Sequence, residues 1–567
     1  MLRYLRSGEG LTLAALALIA TLLFAVPLGL LFRVGLGGDA GLTLAPLLDA
    51  LESRSVLRAL WNSLESSLLS AALALLGGTV AALILGLTDV RAKGLFTFLL
   101  LIPMMIPPHV TAIAWIQALG PSSALLRTLG IAPEIGTTHP LYSRGGVVFL
   151  LGVQHAPLVF LVVLAALSSL PREMSDAARV AGAGAARLLR RILLPLLAPT
   201  LLAAFALAFV SALGNFGIPA LLGIPARYTT LPVLIWQRLA SFGPTVLTDV
   251  AVIAFLVAII AIVAVLLQGW LSRRSRAALI GPPQAPLAIA LGPARIWVEL
   301  ALALTVLATL VLPITALFST ALVRTYGLPL NADTVTFDNF AEILLRQSVT
   351  ARAFLNSTFV AATAALVIAI LCTLLGRFLT ARERSARRVG SSIATMAEMT
   401  YAIPGLVISI AFILALIRPL PILGLSLYNT LWIILIAYLC AFFSIALKPV
   451  SAAFLQLDPA LDEAAKVSGA RFATRMGRIT APLVAPAAAS GAILVFLTAY
   501  NEVTVSALLW SSGNETIGTT IFNYEDGGYT TLAAAMSAVT VLATIGLMLA
   551  LDRLGRAAPR GVVPWRL

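Results

Sequence analysis

Charged side chains are scarce in this sequence. Asp, Glu, Lys and Arg make up only 11% of its 567 residues, whereas 60% of the residues are hydrophobic. Soluble domains carry about 25% charged residues, so a soluble globular fold is excluded. Apolar runs of roughly 20 residues recur along the chain, and this length crosses a bilayer core of about 30 Å. The sequence therefore predicts an all-α polytopic membrane protein embedded in a lipid bilayer.

Cysteine is also rare. Cys372 and Cys440 both lie inside apolar runs and lack CxxC spacing, which favours buried free thiols over a disulfide or a metal site. The net charge is +14, but the basic residues cluster in short loops between apolar runs. This pattern sets membrane orientation, so no nucleic-acid partner is expected.

Span length and flanking polar residues predict about twelve transmembrane helices, six in each half of the chain. Arg3 and Arg6 precede the first apolar run without a clear cleavage site, so we expect a retained helix rather than a cleaved signal peptide. The predicted limits are 11–33, 64–88, 95–119, 146–170, 196–222, 248–270, 296–323, 356–379, 391–417, 427–448, 484–510 and 531–552.

The distribution of basic residues predicts the orientation. With the N-terminus in the cytoplasm and alternating spans, 27 of the 38 lysines and arginines lie inside and 11 lie outside. This asymmetry is the one that the positive-inside rule requires. Both termini are therefore expected in the cytoplasm.

The two halves of the chain are related by duplication. "DAARVAGAGAARLLRRILLPLLAP" (176–199) is matched by "EAAKVSGARFATRMGRITAPLVAP" (463–486), and "NSL" at 62–64 resembles "NST" at 356–358. Six helices per unit give both copies the same orientation, with a pathway between the halves. We expect a first half at 1–280, a linker at 281–295 that includes "GPPQAP", and a second half at 296–567.

The repeated segments, at 173–199 and 460–486, are predicted on the cytoplasmic side. Each begins with a helical turn of small residues, which allows another protein to approach closely. Gly182 or Gly469 can then break the helix, and Pro195 or Pro482 marks the start of the next membrane helix. An amphipathic helix lying on anionic lipid is the alternative, but it does not explain the matched spacing of both copies.

The pattern E-A-A, three residues, G, nine residues, I-x-L-P resembles that of the permease subunits of bacterial ATP-binding-cassette importers. The matching positions of the first copy are Asp176 (in place of Glu), Ala177, Ala178, Gly182, Ile192, Leu194 and Pro195. Those of the second are Glu463, Ala464, Ala465, Gly469, Ile479, Ala481 (in place of Leu) and Pro482. The resemblance implies the type I importer fold in a fused, double-length form.

In that family the segment is the coupling helix, which docks into a groove of the ATPase subunit. The resemblance therefore implies two cytoplasmic ATPase subunits, a periplasmic solute-binding protein and a location in the bacterial inner membrane. The chain has only three lysines, Lys93, Lys448 and Lys466, and none follows a glycine as a phosphate-binding loop requires. We therefore expect no catalytic residue and no cofactor on this chain, with ATP and Mg²⁺ on the partner subunit. A secondary transporter and a membrane scaffold are the alternatives from other classes.

The fused form is most similar to ferric-iron importers, and the resemblance implies iron as the solute, with thiamine, phosphonate, polyamine or a sulfate-like anion as alternatives. "ALGNFGIPALLG" (212–223) and "YNEVTVSALLW" (500–510) resemble the iron-type signatures. An intramembrane carboxylate is costly and points to function, so Glu502 is a candidate cation ligand. Its alternative role is to bond neighbouring backbone. The other candidate pathway residues are Asn215, Asn501, His109 and His155.

Overall fold

The computed structural model describes residues 8–37, 41, 43–134, 136–168, 170, 176–178, 180–241, 243, 245–274, 289–419 and 424–554. Arg3, Arg6 and the "GPPQAP" stretch of the predicted linker lie outside the described residues, as do residues 173–175 and 179 of the first repeated segment. The described residues contain no β-strand, only two isolated bridges, Thr88 with Ile289 and Val323 with Val335.

Ten unbroken helices in this described part of the chain are long and apolar enough to cross a membrane, and two bent helix pairs bring the number to twelve if each pair is one span. The predicted fold class is confirmed. The helices are α1 (Gly8–Gly35), α2 (Arg54–Leu87), α3 (Lys93–Met105 and Pro108–Thr128), α4 (Arg144–Ser168), α5 (Ala185–Leu213), α6 (Val246–Leu271), α7 (Gly292–Ala321), α8 (Ser348–Leu379), α9 (Arg384–Tyr401 and Gly405–Leu416), α10 (Leu431–Gln456), α11 (Phe472–Tyr500) and α12 (Thr530–Arg553). Shorter helices that bear on the site are Leu231–Leu239, Pro459–Val467 and Ile517–Asp526.

Helices α3 and α9 are bent, by 103° and 114°, where the sequence predicted unbroken spans at 95–119 and 391–417. The prediction of unbroken helices was wrong because each break carries an X-Pro step. Pro107 and Pro404 adopt extended conformations, with ψ of 140° and 143°. The residue before proline is also pushed out of the helical region, so the backbone turns at the same place in both halves.

Four other prolines are accommodated inside continuous helices by a preceding π-helical turn. The turns Thr21–Ala25, Leu189–Leu193, Leu307–Val311 and Met476–Thr480 each precede a proline by one residue, at Pro27, Pro195, Pro313 and Pro482. Proline lacks an N–H and its ring collides with the carbonyl four residues earlier, so one extra residue in the preceding turn relieves the clash. The pattern repeats in both halves and supports their duplication.

The first helix of each half packs against the opposite half. Phe24 of α1 stacks edge-on against Phe443 of α10, with ring centroids 5.5 Å apart. Leu317 of α7 shares a buried cluster with Ile113 of α3 and with α12. The two halves are therefore interlocked through α1 and α7.

The matched "NSL" and "NST" stretches hold equivalent backbone in the two halves. The hydroxyl of Ser63 accepts a hydrogen bond from the N–H of Leu231 at 2.7 Å, and that of Ser357 accepts one from Ile517 at 2.9 Å. Both bonds fix the start of the short helix that follows the fifth span of its half. These two short helices contribute Val233 and Phe522 to one buried cluster between the halves.

Candidate functional site

The second repeated segment forms a short helix with a defined beginning and end. Its first residue is Pro459, and the carboxylate of Asp458 caps the helix by accepting the N–H of Ala460 at 2.9 Å. Gly469 follows with φ of +79°, and the N–H of Ala470 bonds to the carbonyl of Ala465 at 3.0 Å. This six-to-one bond across a left-handed glycine is the Schellman termination of a helix.

The first repeated segment ends with the same geometry. Residues 176–178 and 180 are helical, and Gly182 has φ of +78°. The N–H of Ala183 bonds to the carbonyl of Ala178 at 2.9 Å, in the same register as the bond made by Ala470. The structure confirms the prediction that each glycine breaks its helix.

Each helix presents an apolar side chain to solvent at its C-terminal end. Val180 is 91% exposed and Val467 is 90% exposed, and these valines occupy equivalent positions 287 residues apart. Asp176, Ala177 and Ala464 are also exposed, whereas Ala178 is buried and Ala465 is partly buried. An exposed apolar tip surrounded by small residues is a surface that another protein can cover. We call these two tips the coupling surfaces.

Glu463 and Asp176 are equivalent residues, and each makes an interaction in the structure. The carboxylate of Glu463 forms an ion pair with Arg382, which lies between α8 and α9. Both side chains are substantially exposed, so this pair contributes little to stability. Asp176, the equivalent residue, is exposed and also makes an interaction in the structure.

The sequence predicted that Pro195 and Pro482 mark the starts of membrane helices, and this prediction was wrong. Helices α5 and α11 begin ten residues earlier, at Ala185 and Phe472. The N–H of Leu194 bonds to the carbonyl of Leu189, five residues back, which creates the space that Pro195 needs. The basic turn of each repeat is consequently part of the membrane helix itself.

Asn215 and Glu502 lie just beyond the ends of α5 and α11, although the sequence predicted them well inside unbroken helices at 196–222 and 484–510. The side-chain oxygen of Asn215 accepts the N–H of Ile218 at 3.1 Å. The carboxylate of Glu502 accepts the N–H of Val505 at 2.6 Å and that of Ser506 at 3.1 Å. The prediction of unbroken helices was wrong here because each polar side chain bonds the backbone that restarts after the break.

The breaks of one half meet the bent helix of the other. The amide of Asn501 donates to the carbonyl of Met105, the last residue before the break in α3, at 3.4 Å. In the equivalent position, a Cβ atom on Gly214 would lie 2.9 Å from Cβ of Pro404, at the break in α9. The four breaks therefore converge at the boundary between the halves.

The two candidate histidines have different surroundings. His109 is fully buried beside Gly217, and neither ring nitrogen has a hydrogen-bond partner among the residues that the structure describes. Nδ1 of His155 lies 2.7 Å from the carbonyl of Leu151 in its own helix. His109 thus lies near the break that contains Asn215, whereas His155 is engaged within α4.

Within the described part of the chain, Glu502 does not belong to a cluster of metal-binding side chains. In the described ranges, no group of three or more His, Cys, Asp or Glu residues is arranged to hold a metal ion. Both oxygens of the Glu502 carboxylate already accept backbone hydrogen bonds. The structure places Glu502 at the convergence of the breaks, and its observed partners are backbone N–H groups.

Sequence reasoning missed an aromatic cluster at this boundary. The ring centroid of Phe216 lies 5.9 Å from that of Trp236 and 5.2 Å from that of Phe522, and the last two are 5.7 Å apart. Phe216 and Trp236 belong to the first half and Phe522 to the second. Buried residues around them come from both halves, namely Ala220, Val233, Leu406, Val503 and Ala507. Phe216 directly follows Asn215, and this adjacency was the available signal.

Comparisons with known proteins identify relatives over most of the chain. The family model described as "Binding-protein-dependent transport system inner membrane component" matches residues 74–277 and 373–563. A probable ABC transporter permease of Sinorhizobium fredii is 26% identical over 471 residues, covering 82% of this chain and 81% of the relative. A ferric transport system permease of Actinobacillus pleuropneumoniae is 22% identical over 469 residues, covering 80% of this chain and 64% of the relative. A probable molybdenum ABC transporter permease of Haloferax volcanii is 29% identical over 221 residues, covering 39% of this chain and 78% of the relative.

Proposed function

Because the chain belongs to the family of binding-protein-dependent transport system inner membrane components, the permeases of ATP-binding-cassette importers, we propose that it forms the whole membrane pathway of an importer for ferric iron. Two matched halves in one chain support a complete pathway, since each half supplies one bent helix and one coupling surface. A periplasmic binding protein would deliver the solute, and the chain itself would hydrolyse nothing.

Two cytoplasmic ATPase subunits would dock at the two coupling surfaces, with ATP and Mg²⁺ bound on those subunits. The observation that carries this step is the pair of equivalent valines, Val180 and Val467, exposed to 91% and 90% on helices that end with the same turn. Burial of an exposed apolar side chain against a partner is favourable, because it removes apolar surface from water. This orientation places both termini in the cytoplasm, as the basic residues predict.

Docking can be tested by placing a charge on each coupling surface. Val180→Asp and Val467→Asp should together abolish co-purification of the ATPase, since each carboxylate would be buried without a partner. The matched control is Leu345→Asp, which alters an 84% exposed apolar residue between α7 and α8. Retention of both ATPase subunits by the double variant would contradict the docking assignment.

The aromatic cluster of Phe216, Trp236 and Phe522 would close the pathway between the halves. These rings come from the segments just beyond the breaks, on the far side of the membrane from the coupling surfaces in the proposed orientation. ATP binding would draw the coupling surfaces together, the halves would rock apart at the breaks, and the rings would separate to admit solute. Return to the observed packing after hydrolysis would complete a cycle.

Ferric iron is supported by the double-length relatives named as ferric transport permeases, which cover most of this chain. Relatives named for 2-aminoethylphosphonate and molybdenum favour an oxyanion as the alternative solute. Glu502 bears on this choice because a carboxylate at the boundary of the halves attracts a cation and repels an anion.

The solute can be determined with the binding protein and the reconstituted importer. Ferric iron should bind the periplasmic protein and accumulate in ATP-loaded vesicles, whereas molybdate and 2-aminoethylphosphonate should not. Glu502→Gln removes the charge and keeps an oxygen that can accept one backbone hydrogen bond, so iron uptake should fall while ATPase docking persists. Uptake of an oxyanion by both forms would contradict the iron proposal without affecting the transport assignment.

A further inference from the structure

A cluster of four charged side chains lies directly beneath the second coupling surface. Arg475 of α11 bonds to Asp462 of the coupling helix at 2.7 Å and to Glu9 of α1 at 2.6 Å. Arg377 of α8 bonds to Asp462 at 2.9 Å and lies 3.6 Å from Glu9. Two positive and two negative charges therefore alternate among four helices, and we call them the ion cluster.

The ion cluster is largely removed from solvent. The side chain of Arg475 is only 6% exposed, and those of Glu9, Arg377 and Asp462 are between 17% and 26% exposed. Exposed ion pairs contribute little, but removal of one partner from a buried network leaves an uncompensated charge in a low-dielectric site. The geometry of the four helices is therefore strongly constrained at this point.

Among the residues that the structure describes, the positions of the first half that correspond to the ion cluster carry different side chains. Leu188 and Leu83 occupy the positions that correspond to Arg475 and Arg377. The position corresponding to Asp462 is Ser175, which lies outside the described residues. Arg295 of α7 corresponds to Glu9, but it pairs with Asp89 in the loop after α2. Neither Arg295 nor Asp89 belongs to the first repeated segment, so this ion pair does not connect α7 to that segment.

Helix α1 connects the ion cluster to a distant part of the first half. Its 28 residues span about 42 Å. At its other end, the ring of Phe32 packs edge-on against Phe255 of α6, with centroids 5.0 Å apart. A Cβ atom on Gly35 would lie only 2.4 Å from Cγ of Phe255, so this contact is also close. One continuous helix therefore meets the two arginines that hold Asp462 of the second coupling helix at one end, and α6 of the first half at the other.

We propose that α1 transmits the displacement of the second coupling helix to the first half, and that Glu9, Asp462 and Arg475 are positioning residues for this transmission. This inference rests on the proposed ATPase docking. The ion cluster holds the coupling helix to the inner end of α1, and Phe32 carries the movement to α6. The two ATPase subunits consequently act through unequal connections, one through α1 and the other through the apolar contacts around Leu188.

The test compares Glu9→Gln with Asp89→Asn in the full complex of permease, ATPase and binding protein in lipid vesicles. Glu9→Gln removes the charge by which α1 attracts Arg475 and Arg377, and leaves both arginines bonded to Asp462. Asp89→Asn breaks the corresponding pair at the start of α7. Solute transported per ATP hydrolysed should fall at least about fivefold in Glu9→Gln and remain near wild type in Asp89→Asn. Phe32→Ala, at the other end of α1, should resemble Glu9→Gln.

If the ion cluster is purely structural, its disruption will lower protein yield and thermal stability without changing the amount of solute transported per ATP hydrolysed. An unchanged ratio in Glu9→Gln, or an equal fall in Asp89→Asn, would overturn the inference. The number of ATPase subunits that co-purify with the wild-type chain tests the docking proposal separately. If the ATPase subunits still dock and the solute transported per ATP is unchanged in Glu9→Gln, only the inference about α1 is contradicted, and the docking proposal stands.

Discussion

The two coupling surfaces share their backbone and differ in what lies beneath them. Both end in a left-handed glycine with the same hydrogen bond, and both are followed by a π-helical turn and a proline. Beneath the first lies Leu188, and beneath the second lies Arg475 in the ion cluster. The two repeats therefore share the backbone shape of the exposed tip, while the side chains that support this shape differ.

This difference can exist because both halves belong to one chain. In a dimer of identical chains, every substitution appears twice, so an arginine introduced beneath one surface also enters the other. In the fused chain, Arg475 occurs once and meets Glu9 of α1, which crosses from the first half. The interlocked first helices thus make a one-sided ion cluster possible.

The largest expected effect on stability comes from replacing Arg475 of the second half with leucine, the residue at the equivalent position 188 of the first half. Arg475→Leu removes a buried arginine, so that Asp462 and Glu9 both lose their bond to α11. Loss of one member of a buried ion network costs about 3–5 kcal/mol, so the thermal unfolding midpoint of the purified chain should fall strongly. Arg478→Leu, which changes an exposed arginine three residues further on, is the control. Equal midpoints for the two variants would show that the ion cluster does not stabilise the second half.

The sequence predicts the helices well because hydrophobic length is a local property. The apolar helices, the duplication and the glycine-terminated segments all follow from composition or spacing. The positions of Asn215 and Glu502 beyond helix ends do not, because an apolar stretch such as "PALLG" continues the hydropathy signal through the break. Hydropathy cannot reveal that a polar residue bonds the backbone of the next segment.

Contacts between distant parts of the chain were beyond prediction from one sequence. Glu9 and Arg475 are 466 residues apart, and each alone is an ordinary charge near a membrane boundary. The packing of α1 on the opposite half brings them together. The aromatic cluster has the same cause, because Phe522 meets Phe216 only through the boundary between the halves.

A second expected effect concerns Glu525, which corresponds to Leu239 in the first half. Burial raises the pKa of the Glu525 carboxyl to about 7. The folded chain therefore binds this proton more tightly than the unfolded chain, and its free energy of unfolding decreases as the pH rises from about 5 through 7. Glu525→Gln should remove this loss and stabilise the chain by about 3 kcal/mol at pH 8, but by less than about 1 kcal/mol at pH 5.

Unfolding midpoints of wild type and Glu525→Gln at both pH values measure this difference between the halves. Glu134→Gln is the control, since Glu134 is exposed in the loop before α4. A stabilisation of Glu525→Gln that is the same at pH 5 and pH 8 would mean that ionisation of Glu525 is not its cause.

The smallest expected effect separates the shared backbone from the different anchoring. Gly182→Ala and Gly469→Ala face the same strain, because both glycines have positive φ and neither Cβ atom would meet a neighbour within 4 Å. Each substitution should cost about 1–2 kcal/mol locally.

The ion cluster holds the second coupling helix in place, so the first segment should be displaced more than the second. Hydrogen exchange should accelerate in residues 176–183 of Gly182→Ala, and change less in residues 463–470 of Gly469→Ala. Equal acceleration would mean that backbone geometry alone, without the ion cluster, fixes both coupling surfaces.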